Sequence, residues 1–335
     1  MNGAPLPESL GVSVVSGFLG SGKTTLLNAL LKDARLRDTA VVVNEFGEIG
    51  LDHLLMAQGK ESVVLLDSGC LCCTISETLS QTLEDLYWRR ERKEIPAFKR
   101  VMVETTGLAD PGPILRMLLR DYFVSKHFSI NGVLSVADGL LGERQLSDHG
   151  EAVNQMAFAD LVAISKVDLA DRRRLDALRR AISRLNRAVP IVEGVRTADG
   201  AVSPEIIEFF IRDPARDWAE EGANADPHEH EHSESSSHHP MVQSHAFYLK
   251  GPVTWQDYAS WLDGLRTLPA ADLLRVKGLV EIEQPGRPYL IQGVQHVFST
   301  PSRLEAWPTD DHRSRLVAIT KAVQKARLDE IFGVG

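Results

Sequence analysis

The stretch that decides the fold is GFLGSGKT, from Gly17 to Thr24, which matches the phosphate-binding pattern G-x-x-x-x-G-K-[ST]. The apolar run VSVV precedes it, and the helical pattern TTLLNALLK follows it directly. Glycines in such a loop let backbone N–H groups surround a phosphate, and the helix N-terminus adds a positive end. Because strand, loop and helix are in register, the pattern indicates a nucleotide site, with a Gly-rich turn as the alternative.

The side chains of this loop have separate expected roles. Lys23 is expected to reach the β and γ phosphate oxygens, and the Thr24 hydroxyl to take a coordination site of magnesium. The loop as a whole is predicted to bind the nucleotide through Gly17, Gly20, Ser21, Gly22, Lys23, Thr24 and Thr25.

Short β-branched runs alternate with helical patterns over the first two thirds of the chain. The predicted strands are residues 12–15, 40–43, 63–66, 101–103, 133–136 and 161–164, and the predicted helices are residues 24–32, 76–90, 113–119 and 172–187. Such alternation predicts an α/β fold: a parallel sheet with helices on both faces, as in P-loop nucleotide hydrolases. Apolar strands such as VVVN fit, because both of their faces are buried.

The composition changes after the last of these elements. Residues 213–242 are rich in Glu, Ser and His and poor in large apolar side chains, so we predict a disordered linker. Residues 243–335 are predicted to form a smaller α+β domain, and residues 1–212 the nucleotide domain. The strands expected in the C-terminal domain are residues 244–249, 276–282, 289–298 and 315–319. Its expected helices are residues 254–265 and a last one that ends at residue 331.

Two further motifs follow apolar strands. ETTG, from Glu104 to Gly107, stands where GTPases carry D-x-x-G; its carboxylate can act on magnesium and its Gly N–H can sense the γ-phosphate. SKVD, residues 165–168, resembles the Asn-Lys-x-Asp guanine motif. In it Asp168 would accept hydrogen bonds from the base and the Lys166 stem would lie over the base. The alternatives are an ordinary strand-end loop and a surface turn with Asp168 as a helix cap.

The three cysteines of the chain lie within four positions, as Cys70, Cys72 and Cys73. Thiolates are soft ligands that select transition metals, and an incomplete set of sulfurs suits a carrier better than a closed structural site. NEFGE supplies Glu45 and Glu48 as carboxylates that could complete the site, with Thr24 as the magnesium ligand. Buried cysteines, a redox pair and solvated loop acids are the alternatives.

Charge and composition limit the partners. A net charge of −9, from 46 acidic and 37 basic residues, argues against nucleic acid. No apolar run is long enough to cross a membrane, and the N-terminus lacks a secretory pattern, so we expect a cytoplasmic protein. Six of the eleven histidines fall between His228 and His245, and they could collect or buffer zinc; a merely soluble linker is the alternative.

The motifs GFLGSGKTT, NEFGEIGLD, GCLCC, ETTGLADP and SKVD, in that order, resemble the CobW-like family of metal-handling P-loop GTPases. The second half, with LLRVKGLV and YLIQGVQHVFS, is similar to that family's C-terminal domain. The resemblance implies a GTP- and magnesium-dependent metallochaperone that carries zinc or cobalt. By that resemblance, Cys70, Cys72 and Cys73 are expected to hold the metal, and Glu104 is expected to belong to the nucleotide switch.

We therefore expect GTP hydrolysis coupled to metal delivery, zinc being favoured, to a client metalloprotein or cofactor-synthesis enzyme. Cobalt delivery and a metal buffer with weak NTPase activity are the alternatives, as is use of ATP. No glutamine stands beside ETTG in the sequence and no arginine finger is identifiable, so we expect slow intrinsic turnover. A client or a homodimer partner could accelerate it.

Overall fold

A computed structural model describes residues 9–44, 75–187, 189–194, 202–211 and 242–334. In this part of the chain, two six-stranded sheets are each covered by helices. No helix among these residues is both long and apolar enough to span a bilayer. The predicted strand 63–66 and most of the predicted linker lie outside the described residues, so the predicted domain boundaries stay a prediction.

The first sheet is parallel throughout, with strand order β2-β3-β1-β4-β5-β6. Its strands are β1 (Leu10–Gly17), β2 (Thr39–Asn44), β3 (Arg100–Thr105), β4 (Phe128–Asp138), β5 (Leu161–Ser165) and β6 (Ile191–Glu193). The valines of β1 and β3 are fully buried, because helices cover both faces of the sheet. The predicted α/β fold is confirmed.

Eight helices are described in the first domain: α1 (Lys23–Leu30), α2 (Ile75–Glu91), α3 (Pro111–Arg120), α4 (Val124–His127), α5 (Gly142–Asp148), α6 (Gly150–Ala157), α7 (Arg172–Leu185) and α8 (Pro204–Ile211). Helix α3 begins where the sequence signals a start: Asp110 accepts from the Gly112 N–H at 2.8 Å, and Pro111 occupies the first turn. The sequence analysis did not predict β6, α4, α5, α6 or α8.

The second sheet is antiparallel, with order β10-β9-β8-β12-β7 and β11 paired to β9. Its elements are β7 (Val242–Tyr248), α9 (Trp255–Arg266), β8 (Leu273–Val280), β9 (Tyr289–Val294), β10 (Val297–Phe298), β11 (Ser302–Arg303), β12 (Arg315–Lys321) and α10 (Lys325–Phe332). Leu316 and Ala318 of β12 pack towards α9 and α10, while Val317 and Ile319 join a core shared with α2 and α3 of the first domain.

One predicted strand is wrong in extent. We expected a single strand over residues 289–298, but the chain reverses after Val294, and β10 pairs back onto β9. Gln295 lies in the left-handed region at φ +52°, which permits the tight turn. The turn lacks the Asn-Gly or Asp-Gly pair that marks such hairpins, so the sequence pattern did not reveal it.

Candidate functional site

Three of the predicted loops leave the same edge of the first sheet. Strands β1, β2 and β3 are parallel neighbours, and they end at Gly17, Asn44 and Thr105. Ligands of such sheets bind beyond the carboxyl ends of the strands. The phosphate-binding loop and ETTG therefore meet at one site, and NEFGE starts from the strand beside ETTG.

The phosphate-binding loop turns on glycines with positive φ. Gly20 (φ +71°) and Gly22 (φ +92°) adopt the left-handed conformation that glycine favours, and Ser21 N–H closes the turn on the Phe18 carbonyl at 3.1 Å. The buried Lys23 ammonium donates to the carbonyls of Gly17 at 2.9 Å and Phe18 at 3.2 Å. The loop thus holds its cation at the place where the pattern puts phosphate oxygens.

Thr24 and Glu104 come together although they lie 80 positions apart. The Thr24 hydroxyl donates to Oε1 of Glu104 at 2.7 Å, and Glu104 is buried at the end of β3. Hydroxyl and carboxylate oxygens are the donors that a hard divalent cation takes in proteins. The donor set fits the magnesium ion that the family resemblance implies.

Gly107 lies directly against the phosphate-binding loop. A Cβ at this position would lie 2.7 Å from the backbone of Leu19, so no other residue fits without a shift. Leu19 and Leu108 are each 53% exposed and lie on the two loops that meet here. The contact places the ETTG glycine beside the predicted phosphate site.

The motif SKVD follows β5, and Ser165 joins it to the phosphate-binding loop. The Ser165 hydroxyl lies 2.6 Å from the Ser21 carbonyl and 3.2 Å from the Ala137 carbonyl. Lys166 has φ +52°, and its ammonium donates to Oδ2 of Asp138 at 2.7 Å. A hydroxyl in place of the usual amide therefore still links the two loops.

Asp168 is exposed and does not cap the helix that follows it. Helix α7 begins at Arg172, and the N-cap is Asp171, which accepts from the Arg174 N–H at 2.9 Å. The alternative in which Asp168 is a helix cap is wrong. Its carboxylate lies on the loop that Lys166 and Ser165 anchor.

Sequence reasoning missed three residues around this site. Asp138, buried at the end of β4, pairs with Lys166; His149 stacks on Phe18 with ring centroids 4.6 Å apart; and Gln155 donates to the Gly107 and Ala109 carbonyls. Asp138 could have been suspected from its place at the end of an apolar strand. The other two act through contacts between distant segments, which no local pattern signals.

The predicted transition-metal site cannot be placed. Glu45, Glu48, Cys70, Cys72 and Cys73 lie outside the described residues, as do the histidines from His228 to His239. Within the described ranges, no cluster of three or more His, Cys, Asp or Glu side chains is suited to a metal ion. His245 is buried in strand β7, so it does not belong to the histidine tract with which we grouped it.

Comparison with known proteins covers both domains. The family model described as CobW/HypB/UreG, nucleotide-binding domain, matches residues 11–193, and the cobalamin synthesis protein cobW C-terminal domain matches residues 242–334. The zinc chaperone CobW of Pseudomonas aeruginosa is 31% identical over 95% of this chain and 89% of its own length. The zinc chaperone YjiA of Escherichia coli K12 is 28% identical over 87% of each chain. The crystal structure of Zn(II)-bound YjiA GTPase shares the fold, with a TM-score of 0.66 and 22% identity over 97% of this chain and 98% of that one.

Proposed function

The chain belongs to the CobW/HypB/UreG family, and on that premise we propose that it is a GTP-hydrolysing metallochaperone with zinc as its cargo. The observation that carries the nucleotide half is the Thr24–Glu104 hydrogen bond beside Lys23. It joins the phosphate-binding loop to the carboxylate of ETTG, so the groups that would act on a triphosphate lie together.

Hydrolysis of a nucleoside triphosphate requires the protein to position the phosphates and neutralise their charge more than to form a covalent bond. Lys23 exchanges its loop carbonyls for phosphate oxygens and neutralises charge on the β and γ groups. Thr24 and Glu104 would hold magnesium, which supplies charge neutralisation to the phosphates when it is bound. Gly107, packed on the phosphate-binding loop, offers its backbone where the γ-phosphate is expected.

Guanine is the proposed base. The exposed Asp168 carboxylate can accept from guanine N1–H and its exocyclic amine, whereas adenine presents an acceptor in place of N1–H. Ser165 bonds the Ser21 carbonyl and Lys166 pairs with Asp138, so the loop that carries Asp168 is anchored to the phosphate-binding loop and to β4. This arrangement supports GTP over ATP.

The cargo half rests on the Cys-Leu-Cys-Cys sequence. Cys70, Cys72 and Cys73 supply soft thiolates that favour zinc over magnesium. Glu45 or Glu48, which follow the end of β2, would complete the shell. Two of the relatives are named zinc chaperones, which supports zinc over cobalt for this chain.

A carrier needs a receiver. We propose that the partner is a client metalloprotein or a cofactor-synthesis enzyme of the cytoplasm, and that a second copy of this chain or the client accelerates a slow intrinsic turnover. Neither nucleic acid nor a membrane surface is expected as a partner, since the net charge is −9.

The test combines phosphate release with metal titration on the full chain. We expect magnesium-dependent phosphate release from GTP well above that from ATP, and one tight zinc site that Cys72→Ser weakens. Lys23→Ala is the matched control: it should bind zinc as the wild type does and release no phosphate. Absence of hydrolysis in the wild type, or equal use of ATP, contradicts the nucleotide half. A tight site that prefers cobalt contradicts the choice of zinc.

A further inference from the structure

The loop that follows β3 accepts hydrogen bonds from one buried side chain, Gln155 of helix α6. Within the loop, the Ala109 N–H donates to the Thr106 carbonyl at 3.1 Å. Two other carbonyls of the loop accept hydrogen bonds from helix α6. The Gln155 amide nitrogen donates to the carbonyl of Gly107 at 3.2 Å and to that of Ala109 at 3.1 Å. Gln155 is completely buried and lies 48 positions away along the chain.

The helix that carries Gln155 is itself fastened at its end. The Ser135 hydroxyl of β4 donates to the Gln155 carbonyl at 2.7 Å. Asn186 donates to the Met156 carbonyl at 3.3 Å and to the Ala159 carbonyl at 2.9 Å. The backbone that carries the Gln155 side chain is therefore held by β4, through Ser135, and by Asn186, which follows α7.

The orientation of the amide follows from its neighbours. Two carbonyl oxygens face one end of the side chain, and only the nitrogen can donate to them. The oxygen Oε1 is then left buried with no partner among the described residues, and an unsatisfied buried acceptor lowers stability. An apolar side chain would fill this part of the core at a lower energetic cost. The contribution of Gln155 is therefore the two hydrogen bonds that it donates to the loop.

Holding a carbonyl also orients the peptide beyond it. The peptide unit is planar and trans, so the Leu108 N–H points to the side opposite the Gly107 carbonyl. By binding that carbonyl, Gln155 sets the direction of the adjoining N–H in the loop that Gly107 packs against Leu19. The loop is thereby set relative to the phosphate-binding loop.

We infer that Gln155 is a positioning residue for hydrolysis: it does not touch the nucleotide, but it fixes the ETTG loop in the geometry that the reaction needs. The inference rests on the proposed GTPase activity.

The test compares Gln155→Met with Asn131→Leu. Met has a similar size and no donor, while Asn131→Leu removes two hydrogen bonds donated by a side-chain amide, to the Ser13 hydroxyl and the Phe209 carbonyl, that touch neither the loop nor α6. In Gln155→Met we expect kcat for GTP to fall by about 100-fold, with KM and GDP affinity within about twofold of wild type. Asn131→Leu should keep the wild-type kcat, although it is destabilised.

A second measurement does not depend on turnover. Amide hydrogen exchange of residues 105–110 in the GDP complex should be faster in Gln155→Met than in wild type, and unchanged in Asn131→Leu. The milder Ser135→Ala, which loosens the Gln155 backbone, should show a smaller change in the same direction. Unchanged exchange in folded Gln155→Met, or equal loss of kcat in both variants, overturns the inference. A wild type that releases no phosphate overturns the proposed function, and the exchange data still decide the role of Gln155 on the loop.

Discussion

At the scale of single residues, Ser165 and Asp168 of the motif that follows β5 have different roles, one structural and one in the proposed recognition of the base. Ser165 has one hydroxyl where an asparagine would have an amide, and its closest partner is the carbonyl of Ser21 at 2.6 Å. The structural link to the phosphate-binding loop therefore survives the exchange of residue. Recognition of the base is the role that we propose for Asp168, which is exposed and is not used as a helix cap.

Asp168→Asn should relax the choice of base. An asparagine can accept only through one oxygen and loses the negative charge, so we expect GTP affinity to fall by about 2 kcal/mol or more. Competition of ATP and GTP against a labelled guanine nucleotide measures the change. The matched control is Asp171→Asn, which alters a carboxylate three positions away that caps α7 and should keep the GTP preference. Unchanged preference in Asp168→Asn shows that the motif does not read the base.

His245 gives the second domain a dependence on pH. Burial lowers the pKa of His245 from 6.5 to about 4, with Lys325 and Arg187 adding to the shift and Asp329 opposing it. Its Nε2 atom is buried with no partner among the described residues. Between pH 6.5 and pH 4 the unfolded chain binds more protons at this position, so the free energy of unfolding falls as the pH drops.

The expected loss between pH 7 and pH 4 is about 3 kcal/mol. Urea unfolding of wild type and His245→Leu across this range measures it, and the variant should lose that part of the slope. His312→Gln, at an exposed position of the same domain, serves as the control and should follow the wild type. Identical slopes in wild type and His245→Leu contradict the assignment.

At the scale of elements, strands β1, β2 and β3 end at one edge of a sheet, where the phosphate-binding loop, NEFGE and ETTG begin. A γ-phosphate with magnesium orders the loops that contact it, and hydrolysis releases them. In the sequence Glu45 and Glu48 come one and four positions after β2, which pairs with the strand that carries Glu104. Coupling between the two ligands follows if these carboxylates belong to the thiolate site.

We predict that a GTP analogue tightens zinc binding relative to GDP, by about 5- to 150-fold. Reciprocity requires zinc to raise the affinity for the analogue by the same factor. A competition titration against a chelator, with magnesium and either nucleotide, measures both sides. The Lys23→Ala variant is the control, because it should lose the difference between nucleotides while keeping the metal site. Equal zinc affinity in the two nucleotide states would leave a GTPase that contains an uncoupled metal site.

Most strands of the first sheet could be predicted from the sequence, whereas short or irregular elements could not. Five of the six strands in the first sheet were predicted, because runs such as Val101–Val103 and Leu161–Ile164 are apolar on both faces. Strand β6 was missed, since its three residues, IVE, are too short for a periodic pattern. Helix α6 was missed because its sequence, GEAVNQMA, starts with glycine and places a buried Gln in its last turn.

The site divides in the same way. Lys23, Thr24 and Glu104 belong to motifs with fixed spacing, and the structure brings them together. Asp138 and Gln155 have no motif, because their partners lie 28 and 48 positions away. Contacts of that kind depend on the packing of elements and are absent from any short stretch of sequence.

At the scale of the whole molecule, buried ions join the two domains. Asp160, which begins the turn into β5, pairs with Arg275 at 2.7 Å and with Lys277, both from β8. Arg275 also donates to the Phe158 carbonyl, and Oδ2 of Asp160 accepts from the Val133 N–H at 2.8 Å. Burial opposes ionisation of Asp160, but the charges of Arg275 and Lys277 outweigh it and hold its pKa below the usual value.

Asp160→Asn should destabilise the protein by about 3–5 kcal/mol, because it removes the carboxylate that pairs with the buried Arg275 and with Lys277. Urea unfolding of the full chain measures the loss. Asp38→Asn is the matched control, since it breaks the exposed Asp38–Lys99 pair and should change stability little. A small effect of Asp160→Asn would show that water reaches these ions and that the apolar contacts alone hold the domains together.

The ion cluster has a consequence for inheritance. Arg275 and Lys277 on β8 pair with a carboxylate of the first domain, so each domain carries charged groups whose partner lies in the other. In a chimaera with the second domain of another protein, Asp160 would lose its cationic partners unless that domain carried cations at the positions of Arg275 and Lys277. We therefore expect changes at positions 160, 275 and 277 to be accepted together.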